Sequence, residues 1–565
     1  MSERLSDLVF LPRPRQIRAA GGAFPAQPLA RRVDGGGGLP AQGYRIRIGA
    51  DGVHLTGADP AGLFYAEATL GQLLRQCPGA LPAGEIEDWP DYPVRGVMLD
   101  ISRDKVPTMQ TLESLVDLLS GMKVNHLQLY TEHTFAYSAH REVWAEASPM
   151  TAEEIRRMDA YCRQRFVELV PNQNSFGHLE RWLSLPRYRD LAECPQGFDW
   201  PWGGRSEGPF SLDPSNPASL SLLEELFDEL LPAFESRLFN VGCDETFDLG
   251  QGRNRERCAR EGKGRVYLDF LLQIHRRVAA RGHTMLYWGD IIMEHPDLVP
   301  ELPPDAVALE WGYEAQHPFD EHGAKFRAAG VPWWVCPGTS SWNSLAGRTE
   351  NCLLNLGAAA RAGLAHGATG FLNTDWGDNG HWQFLPVSWL GLAAGAALSW
   401  CLPANDGIDF SAELDAHVFH DRAGVMGACA RDLGNAYLRT GVRIHNESAL
   451  FQVLRHPGRR TPLEGLHAST VADTRRWIQA AAGRLGGARM DLPDAQLVKD
   501  EYALTVRLML LGCDRIDALL GSSPRLPPAG DQLADIIREY RRLWLARNRS
   551  GGLSDSVRRL EALRP

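Results

Sequence analysis

The chain has 565 residues, 44% of them hydrophobic and 23% charged, with a formal net charge of −11. That length exceeds one simple core and calls for two or three domains, and the negative balance disfavours nucleic acid as a partner. No run of about 18 apolar residues suggests a membrane span. MSERLSDLVFLPRPR (1–15) lacks a signal-peptide core, and the ten cysteines show no metal or disulfide spacing, so a cytoplasmic protein with reduced thiols is expected.

Residues 1–92 read as a small α/β domain. YRIRIGADGVHLTGAD (44–59) alternates as two strands around Asp51-Gly52, a hairpin signal. PAGLFYAEATLGQLLRQ (60–76) follows with amphipathic helix spacing. The Gly35–Gly38 run reads as a loop, and Asp88, Pro90 and Pro93 mark a boundary. From 93 to 400 one unit repeats: a short apolar run, a loop, a helical stretch. The runs are 94–102, 124–130, 167–173, 237–242, 284–290, 306–312, 332–338 and 368–375, with helical stretches such as 108–123, 151–165 and 266–281 between them. Eight such units predict an α/β fold of (β/α)8 TIM-barrel type. No GxGxxG follows a strand, so no dinucleotide cofactor is expected. Residues 401–565 carry helix-period patterns only, as in 471–485, 501–521 and 531–548, and predict an α-helical C-terminal domain. Pro524, Pro527 and Pro528 punctuate it.

Active sites of such barrels sit at the C-terminal ends of the strands. Taken strand by strand, these ends deliver Asp100 and Arg103; Glu132 and His133; Asn172, Asn174 and His178; Asp244 and Glu245; Trp288 and Asp290; Glu310 and Trp311; Trp342 and Asn343; Asp375, Trp376 and Asp378. The Asp244-Glu245 pair is the most informative. Successive strand residues point to opposite faces, so two adjacent carboxylates share a pocket only where the strand has ended and the chain turns. Indole faces stack on the C–H faces of sugar rings and carboxylates bind hydroxyls, so this rim suits a pyranose. Trp288, Trp311 and Trp376, each beside an acid, are assigned to the rim; Trp333, Trp334, Trp389 and Trp400 are assigned to packing. Glycoside hydrolysis usually places a proton donor and a second carboxylate on separate strands. An adjacent pair leaves the attack to a 2-acetamido group on the substrate. Glu245 then protonates the leaving oxygen, while ionised Asp244 holds the acetamido N–H and offsets charge on an oxazolinium-like intermediate. No metal is required, because Asp100, His178 and Asp244 are explained by hydrogen bonding. His126, His275 and His366 are read as core or surface residues.

Four stretches resemble glycoside hydrolase family 20, the β-N-acetylhexosaminidases. RGVMLDISRDKVPT (95–108) looks like the family's first barrel strand and implies Arg103 as a ligand of sugar hydroxyls. SFGHLERW (175–182) resembles its Gly-His segment and implies that His178 tunes the acid site. GCDET (242–246) is similar to its Asp-Glu pair, implying Asp244 and Glu245 as the catalytic residues. TDWGDNG (374–380) implies Trp376 as a stacking platform and Asp378 as a ligand of O4 and O6. Trp288 and Trp311 match tryptophans that wall the acetamido pocket. GLFYAEATLGQLL (62–74) is similar to the small domain before the barrel, so the resemblance spans about 1–400. There are departures. Glu132 and His133 stand where the family has two Asp, and Glu132 takes the hydroxyl-binding role. Asn172, Asn174 and Phe176 replace acids and a proline before the Gly-His. CPGTSSWN (336–343) replaces a Tyr-x-Asp, which leaves Trp342 to shape the pocket and Tyr130, Tyr137 and Tyr313 as candidate donors to the acetamido oxygen.

The resemblance implies an exo-acting, retaining enzyme without cofactor or metal, hydrolysing oligosaccharides or glycoconjugates that end in β-linked GlcNAc or GalNAc. Two other readings stay open: a barrel glycosidase pairing Glu245 with Glu310 or Asp378 on sugars lacking the acetamido group, and a glycan-binding barrel without catalysis. The loops at 131–150 and 183–216 are expected to govern the aglycone, with WPWGGRSEGPF (200–210) as a lid. The helical tail offers a surface for a homodimer.

Overall fold

The computed structural model describes residues 4–36, 38–457, 465–521 and 530–564. Pro524, Pro527 and Pro528, and Gly37 of the glycine run, lie outside the described residues. The N-terminal sheet has five strands, β1 (Gln16–Phe24), β2 (Leu29–Val33), β3 (Tyr44–Gly49), β4 (Gly52–Gly57) and β5 (Leu81–Asp88), in the order β1-β5-β3-β4-β2. β3 and β4 pair antiparallel as the alternation predicts. Their inward Ile46, Ile48, Val53 and Leu55 pack on Tyr65, Leu70 and Leu73 of the helix Pro60–Gln76. Asp59 caps that helix by accepting the Gly62 N–H at 2.8 Å, and Pro60 presets its first turn. β1 and β2 were not anticipated, since both are mostly exposed and carry no alternation of burial to read.

Next come β6 (Val94–Asp100), β7 (His126–Tyr130) and β8 (Glu168–Val170), a two-stranded ribbon β9 (Phe198–Asp199) and β10 (Arg205–Ser206), then β11 (Leu238–Asn240), β12 (Thr284–Trp288), β13 (Val307–Trp311), β14 (Trp333–Cys336) and β15 (Gly370–Asp375). Apart from the ribbon, these strands make one eight-stranded parallel sheet. It closes into a barrel where the Gln173 N–H bonds the Asn240 carbonyl and the Asn240 N–H bonds the Pro171 carbonyl, both at 3.0 Å. Met98, Tyr130, Val170, Leu286, Leu309, Trp334 and Leu372 fill the lumen.

The period of two decides which strand-end acids reach the mouth. On β13, Leu309 and Trp311 belong to the lumen, so Glu310 faces outward. There it is buried, its Oε1 accepting from His317 Nε2 at 2.8 Å and His322 Nδ1 at 2.6 Å. On β15, Leu372 is inward and Asp375 outward, accepting from the hydroxyls of Thr339, Ser341 and Ser388. Both placements have one cause: neither VALEW nor GFLNTD alternates cleanly between apolar and polar residues, so the face each acid takes is not marked in sequence.

The helix Leu385–Trp400 is buried on every side from Pro386 onward, as expected of a helix apolar all round. It lies between the barrel and the helices that follow, among them Met426–Gly434, Ala468–Ala482, Ala495–Leu519, Gly530–Arg547 and Leu553–Glu561. Among the described residues no helix is long and apolar enough to cross a membrane. Cys162, Cys194, Cys243, Cys258, Cys336, Cys352, Cys401, Cys429 and Cys513 are free thiols.

The last two helices grip two loops at the barrel mouth. The Thr108 N–H donates to the Arg547 carbonyl at 2.9 Å and the Arg549 N–H to the Val106 carbonyl at 2.8 Å. Ser556 bonds the Gly380 carbonyl, and Tyr540 donates to the His381 carbonyl at 3.3 Å. Gly552 has φ +74°, and a Cβ built there would lie 2.0 Å from the Asp104 carbonyl oxygen. Only glycine allows this approach. Gly552→Ala is therefore expected to lower stability by about 1–3 kcal/mol and, by displacing the loop that carries Arg103, to raise KM more than it lowers kcat. Thermal melts and steady-state kinetics check both; an unchanged melting midpoint and KM would contradict this contact.

Candidate active site

β11 ends at Asn240, and the chain turns at once. Gly242, Cys243 and Glu245 have φ of +68°, +71° and +51°. Strained conformations of this kind persist only where the surroundings enforce them. Here Tyr267 donates to the Cys243 carbonyl at 2.9 Å, and the Trp288 N–H to the Gly242 carbonyl at 3.0 Å. The Cys243 N–H donates to Asn174 Oδ1 at 3.2 Å, and the Glu245 N–H to Asp290 Oδ2 at 3.2 Å. A Cβ on Gly242 would lie 2.5 Å from Asn174 Oδ1, so the turn needs glycine there.

The turn brings both carboxylates to one imidazole. His178 Nε2 lies 3.2 Å from Asp244 Oδ2 and 3.4 Å from Glu245 Oε2, within ion-pair range of each without the alignment of a hydrogen bond. Its Nδ1 faces the Arg103 guanidinium at 3.3 Å. Burial alone would depress the imidazole pKa; Asp244 and then Glu245 overcome it and raise it to about 10. Asp244 is buried, which by itself raises a carboxyl pKa. His178, a 3.1 Å hydrogen bond from Asn174 Nδ2, and Arg103 outweigh that and hold it below the usual carboxylate range. The Glu245 side chain is one-third exposed.

Arg103 is fixed from three sides. Its guanidinium lies 3.2 Å from Glu132 Oε1 and donates to Asp100 Oδ2 at 3.2 Å. It lies against both Tyr130 and Trp376, with ring centroids at 4.7 and 4.9 Å, where those two rings meet edge-on at 4.8 Å. Asp100 also accepts the N–H groups of Ser102, Arg103 and Gly377, which ties the loops after β6 and β15 together. Asp378 stands near Arg103; burial pushes its pKa up to about 6 against the pull of that cation.

Aromatic rings close the other side. Trp376 meets Trp288 at 6.1 Å and donates from Nε1 to Tyr313 Oη at 2.7 Å. Tyr313 stacks on Trp311 at 5.2 Å and meets Trp342 edge-on at 5.0 Å. The indole N–H groups of Trp288 and Trp342 are buried without a protein partner. Buried donors normally have a partner, and these two are exceptions.

Arg103, Glu132, His178, Asp244, Glu245, Trp288, Trp311, Trp342, Trp376 and Asp378 thus gather round one cup. Other sequence candidates fall outside it. Besides Glu310 and Asp375, His133 is buried away from the cup, where burial holds its pKa near 3. Asn172 donates to Gln128 on the lumen floor. Of the three tyrosines, Tyr137 lies outside the barrel wall and donates to Gln173, and the Tyr130 hydroxyl is engaged by Glu132 and Asn174. Tyr313 contacts Trp311, Trp342 and Trp376. Asn174 as the partner of Asp244 and Asp290 beneath Glu245 were not foreseen in these roles, although both sit at strand ends. The Glu310–His317–His322 cluster has metal-type ligands, but its contacts of 2.6 and 2.8 Å are hydrogen-bond distances. Ligands sharing a zinc ion at about 2.0–2.1 Å stand about 3.3 Å apart.

These features define a (β/α)8 barrel with an acid pair in an aromatic, Arg-lined cup. Residues 92–341 match the model of glycosyl hydrolase family 20, catalytic domain, and residues 28–89 that of glycosyl hydrolase family 20, domain 2. The chain belongs to glycosyl hydrolase family 20. It is 26% identical to a lacto-N-biosidase of Bifidobacterium bifidum over 312 residues, covering 52% of this chain and 26% of that one. It is 25% identical to a beta-hexosaminidase of Akkermansia muciniphila, covering 46% and 58%. The matched segment therefore spans only about a quarter to three-fifths of these relatives. In fold, the chain resembles the Streptomyces plicatus N-acetyl-beta-hexosaminidase, with TM-score 0.56, 20% identity, and 72% and 94% of the two chains covered. It also resembles the Flavobacterium johnsoniae chitobiase, with TM-score 0.56, 17% identity, and 95% and 98% covered, a likeness that extends through the helical tail.

Asp290 gives the site a measurable signature. Burial first, then Asp244 and Glu245, push its pKa up to about 8. An unfolded Asp titrates near 4, so between about pH 4 and 8 the folded state holds a proton that the unfolded chain has released. The stability tied to this proton is complete below pH 4 and is lost as pH rises toward 8. Asp290→Asn is expected to flatten the decline in thermal midpoint over that window. An identical slope in the variant would show that Asp290 does not titrate there.

Proposed function

We propose that this protein is an exo-acting, retaining β-N-acetylhexosaminidase that removes terminal β-linked GlcNAc or GalNAc from oligosaccharides or glycoconjugates by substrate-assisted catalysis. The observation that carries the reading is the single nitrogen, His178 Nε2, within 3.4 Å of both neighbouring carboxylates. Acids that share one imidazole cannot flank a glycosidic bond from opposite sides, as the two-carboxylate mechanisms require. Of the two partners the rival reading offered, Glu310 faces away from the barrel lumen, and Asp378 stands beside Arg103 as a candidate ligand of sugar hydroxyls.

In this reading Glu245, the more exposed of the pair, donates its proton to the glycosidic oxygen. The acetamido oxygen attacks C1 as the bond from C1 to the leaving oxygen breaks, and the intermediate carries positive charge on the ring so formed. Asp244, ionised and oriented by His178 and Asn174, accepts the acetamido N–H and stabilises that charge. Water then attacks C1, giving its proton to Glu245 and restoring the acetamido group with net retention. Arg103, Glu132 and Asp378 bind the sugar hydroxyls, and Trp376 takes the apolar face of the ring. Trp288, Trp311, Trp342 and the Tyr313 hydroxyl enclose the acetamido group.

Nitrophenyl glycosides differing only at C2 and C4 test the reading directly. The β-N-acetylglucosaminide or β-N-acetylgalactosaminide should turn over, and the glucoside and galactoside should not. A thiazoline mimic of the cyclised intermediate should inhibit. Glu245→Gln should lose about 10²–10⁴-fold in kcat on unactivated substrates while still binding the thiazoline. Turnover of the glucoside at a comparable rate, or hydrolysis indifferent to the thiazoline, refutes the mechanism.

A further inference from the structure

One buried cation has no part in the mechanism above. Lys105 lies on the loop after β6 that carries Arg103, and it is only 5% exposed. Its Nζ donates to the Gln383 carbonyl at 2.6 Å. The rings of Phe384 and Trp544 flank the ammonium, with centroids at 5.2 and 5.3 Å. The acids that pull on it are engaged elsewhere. Glu501 accepts from Arg547 at 2.6 and 2.9 Å, and Asp375 from the hydroxyls of Thr339, Ser341 and Ser388. Burial therefore prevails over Glu501, Asp375 and Asp104, and brings the Lys105 pKa down to about 7.

Taking an ammonium out of water costs free energy that one carbonyl and two rings repay only in part. A methionine of similar length would fill the slot between Phe384 and Trp544 without that cost, and its thioether suits contact with rings. The charge is therefore not what the packing of this slot requires. What the ammonium supplies is a link between two loops at the cup. Gln383 lies on the stretch after β15, and its Nε2 donates to the Trp376 carbonyl at 2.8 Å. On the other loop, the Lys105 N–H donates to the Arg103 carbonyl at 3.0 Å, and His381 Nδ1 donates to the same oxygen at 3.2 Å. Arg103 and the stretch from Trp376 to Gln383, which includes Asp378, are drawn to one anchor.

We propose that Lys105 is a positioning residue for the sugar: by holding the Gln383 carbonyl, its ammonium sets Arg103 relative to Trp376 and Asp378 and acts on substrate through them. This rests on the hexosaminidase reading and deepens it, since Arg103 and Asp378 are there the ligands of the sugar hydroxyls. The side chain never reaches the substrate. Its effect falls on ground state and transition state alike, because the hydroxyls far from C1 are bound equally in both.

The test uses the full-length protein, the nitrophenyl β-N-acetylhexosaminide that it turns over, and the 4-deoxy analogue of that substrate. In Lys105→Met the melting midpoint should hold or rise. KM for the parent substrate should rise about tenfold while kcat stays within about twofold. The analogue lacks a hydroxyl that these ligands take, so its KM should rise no more than about twofold. Gln383→Met, which cuts the same link at the Trp376 carbonyl, should show the same selective loss. An unchanged KM in folded Lys105→Met, or equal rises on the two substrates, overturns the proposal. So does a Lys105→Met protein that fails to fold, because the ammonium would then serve the fold itself. A wild-type protein that hydrolyses neither the β-N-acetylglucosaminide nor the β-N-acetylgalactosaminide instead overturns the hexosaminidase reading.

Discussion

The site depends on one imidazole. Two carboxylates on adjacent residues, brought into one largely buried cup, repel each other. At 4 Å and an effective dielectric constant of 20, two unit charges interact by about 4 kcal/mol. His178 Nε2 sits against both and turns that repulsion into attraction for whichever acid is ionised. Behind it, Arg103 faces Nδ1, and Asp100 and Glu132 hold Arg103. Asp100, Arg103, His178 and Asp244 form one continuous line of charged contacts, and His178, with Arg103 behind it, holds the Asp244 carboxyl below the usual carboxylate range. Asn174 completes the arrangement with a neutral donor to Asp244, where an additional acid would have drawn the imidazole away.

Backbone strain gives the imidazole its targets. A strand cannot present residues 244 and 245 to the same side, so β11 ends early, at Asn240. The left-handed conformations at Gly242, Cys243 and Glu245 each cost free energy, of order 1–3 kcal/mol for the non-glycine positions. The groups that hold them come from three directions: Tyr267 on the following helix, Trp288 on β12, and Asn174 after β8. Their hydrogen bonds form only when the barrel is closed, so the geometry of the acid pair is a consequence of closure.

Much of this was legible in the chain. Parallel barrel strands are covered on both faces and read as short continuous apolar runs, so all eight could be counted and their C-terminal ends inspected for chemistry. Continuous runs, however, conceal their parity, which is why Glu310 and Asp375 were grouped with the mouth and in fact face the helices. The choice among Tyr130, Tyr137 and Tyr313 was closed to sequence for a related reason. It depends on which hydroxyl protons other side chains already take: those of Tyr130 and Tyr137 go to Glu132 and Gln173, whereas the Tyr313 oxygen accepts from Trp376.

The helical tail was the least legible part, and the structure gives it a physical task. Nothing in RRLWLARNRSGGLSDS announces a contact with residues 104–108, more than four hundred positions earlier. Yet Gly552 touches the Asp104 carbonyl, Arg549 bonds Val106, and Ser556 and Tyr540 hold the stretch from Gly380 to His381. Those two loops are the ones that carry Arg103 and Asp378. Lys105, one residue from Asp104, is buried between them with its ammonium donating to the Gln383 carbonyl at 2.6 Å, and burial lowers its pKa to about 7. A cation kept there at such cost needs the Phe384 and Trp544 rings that flank it, and Trp544 belongs to the tail. The barrel therefore does not position Arg103 and Asp378 alone. The geometry of Arg103 and Asp378 rests on helices whose sequence shows only the 3.6-residue period of an ordinary packing surface.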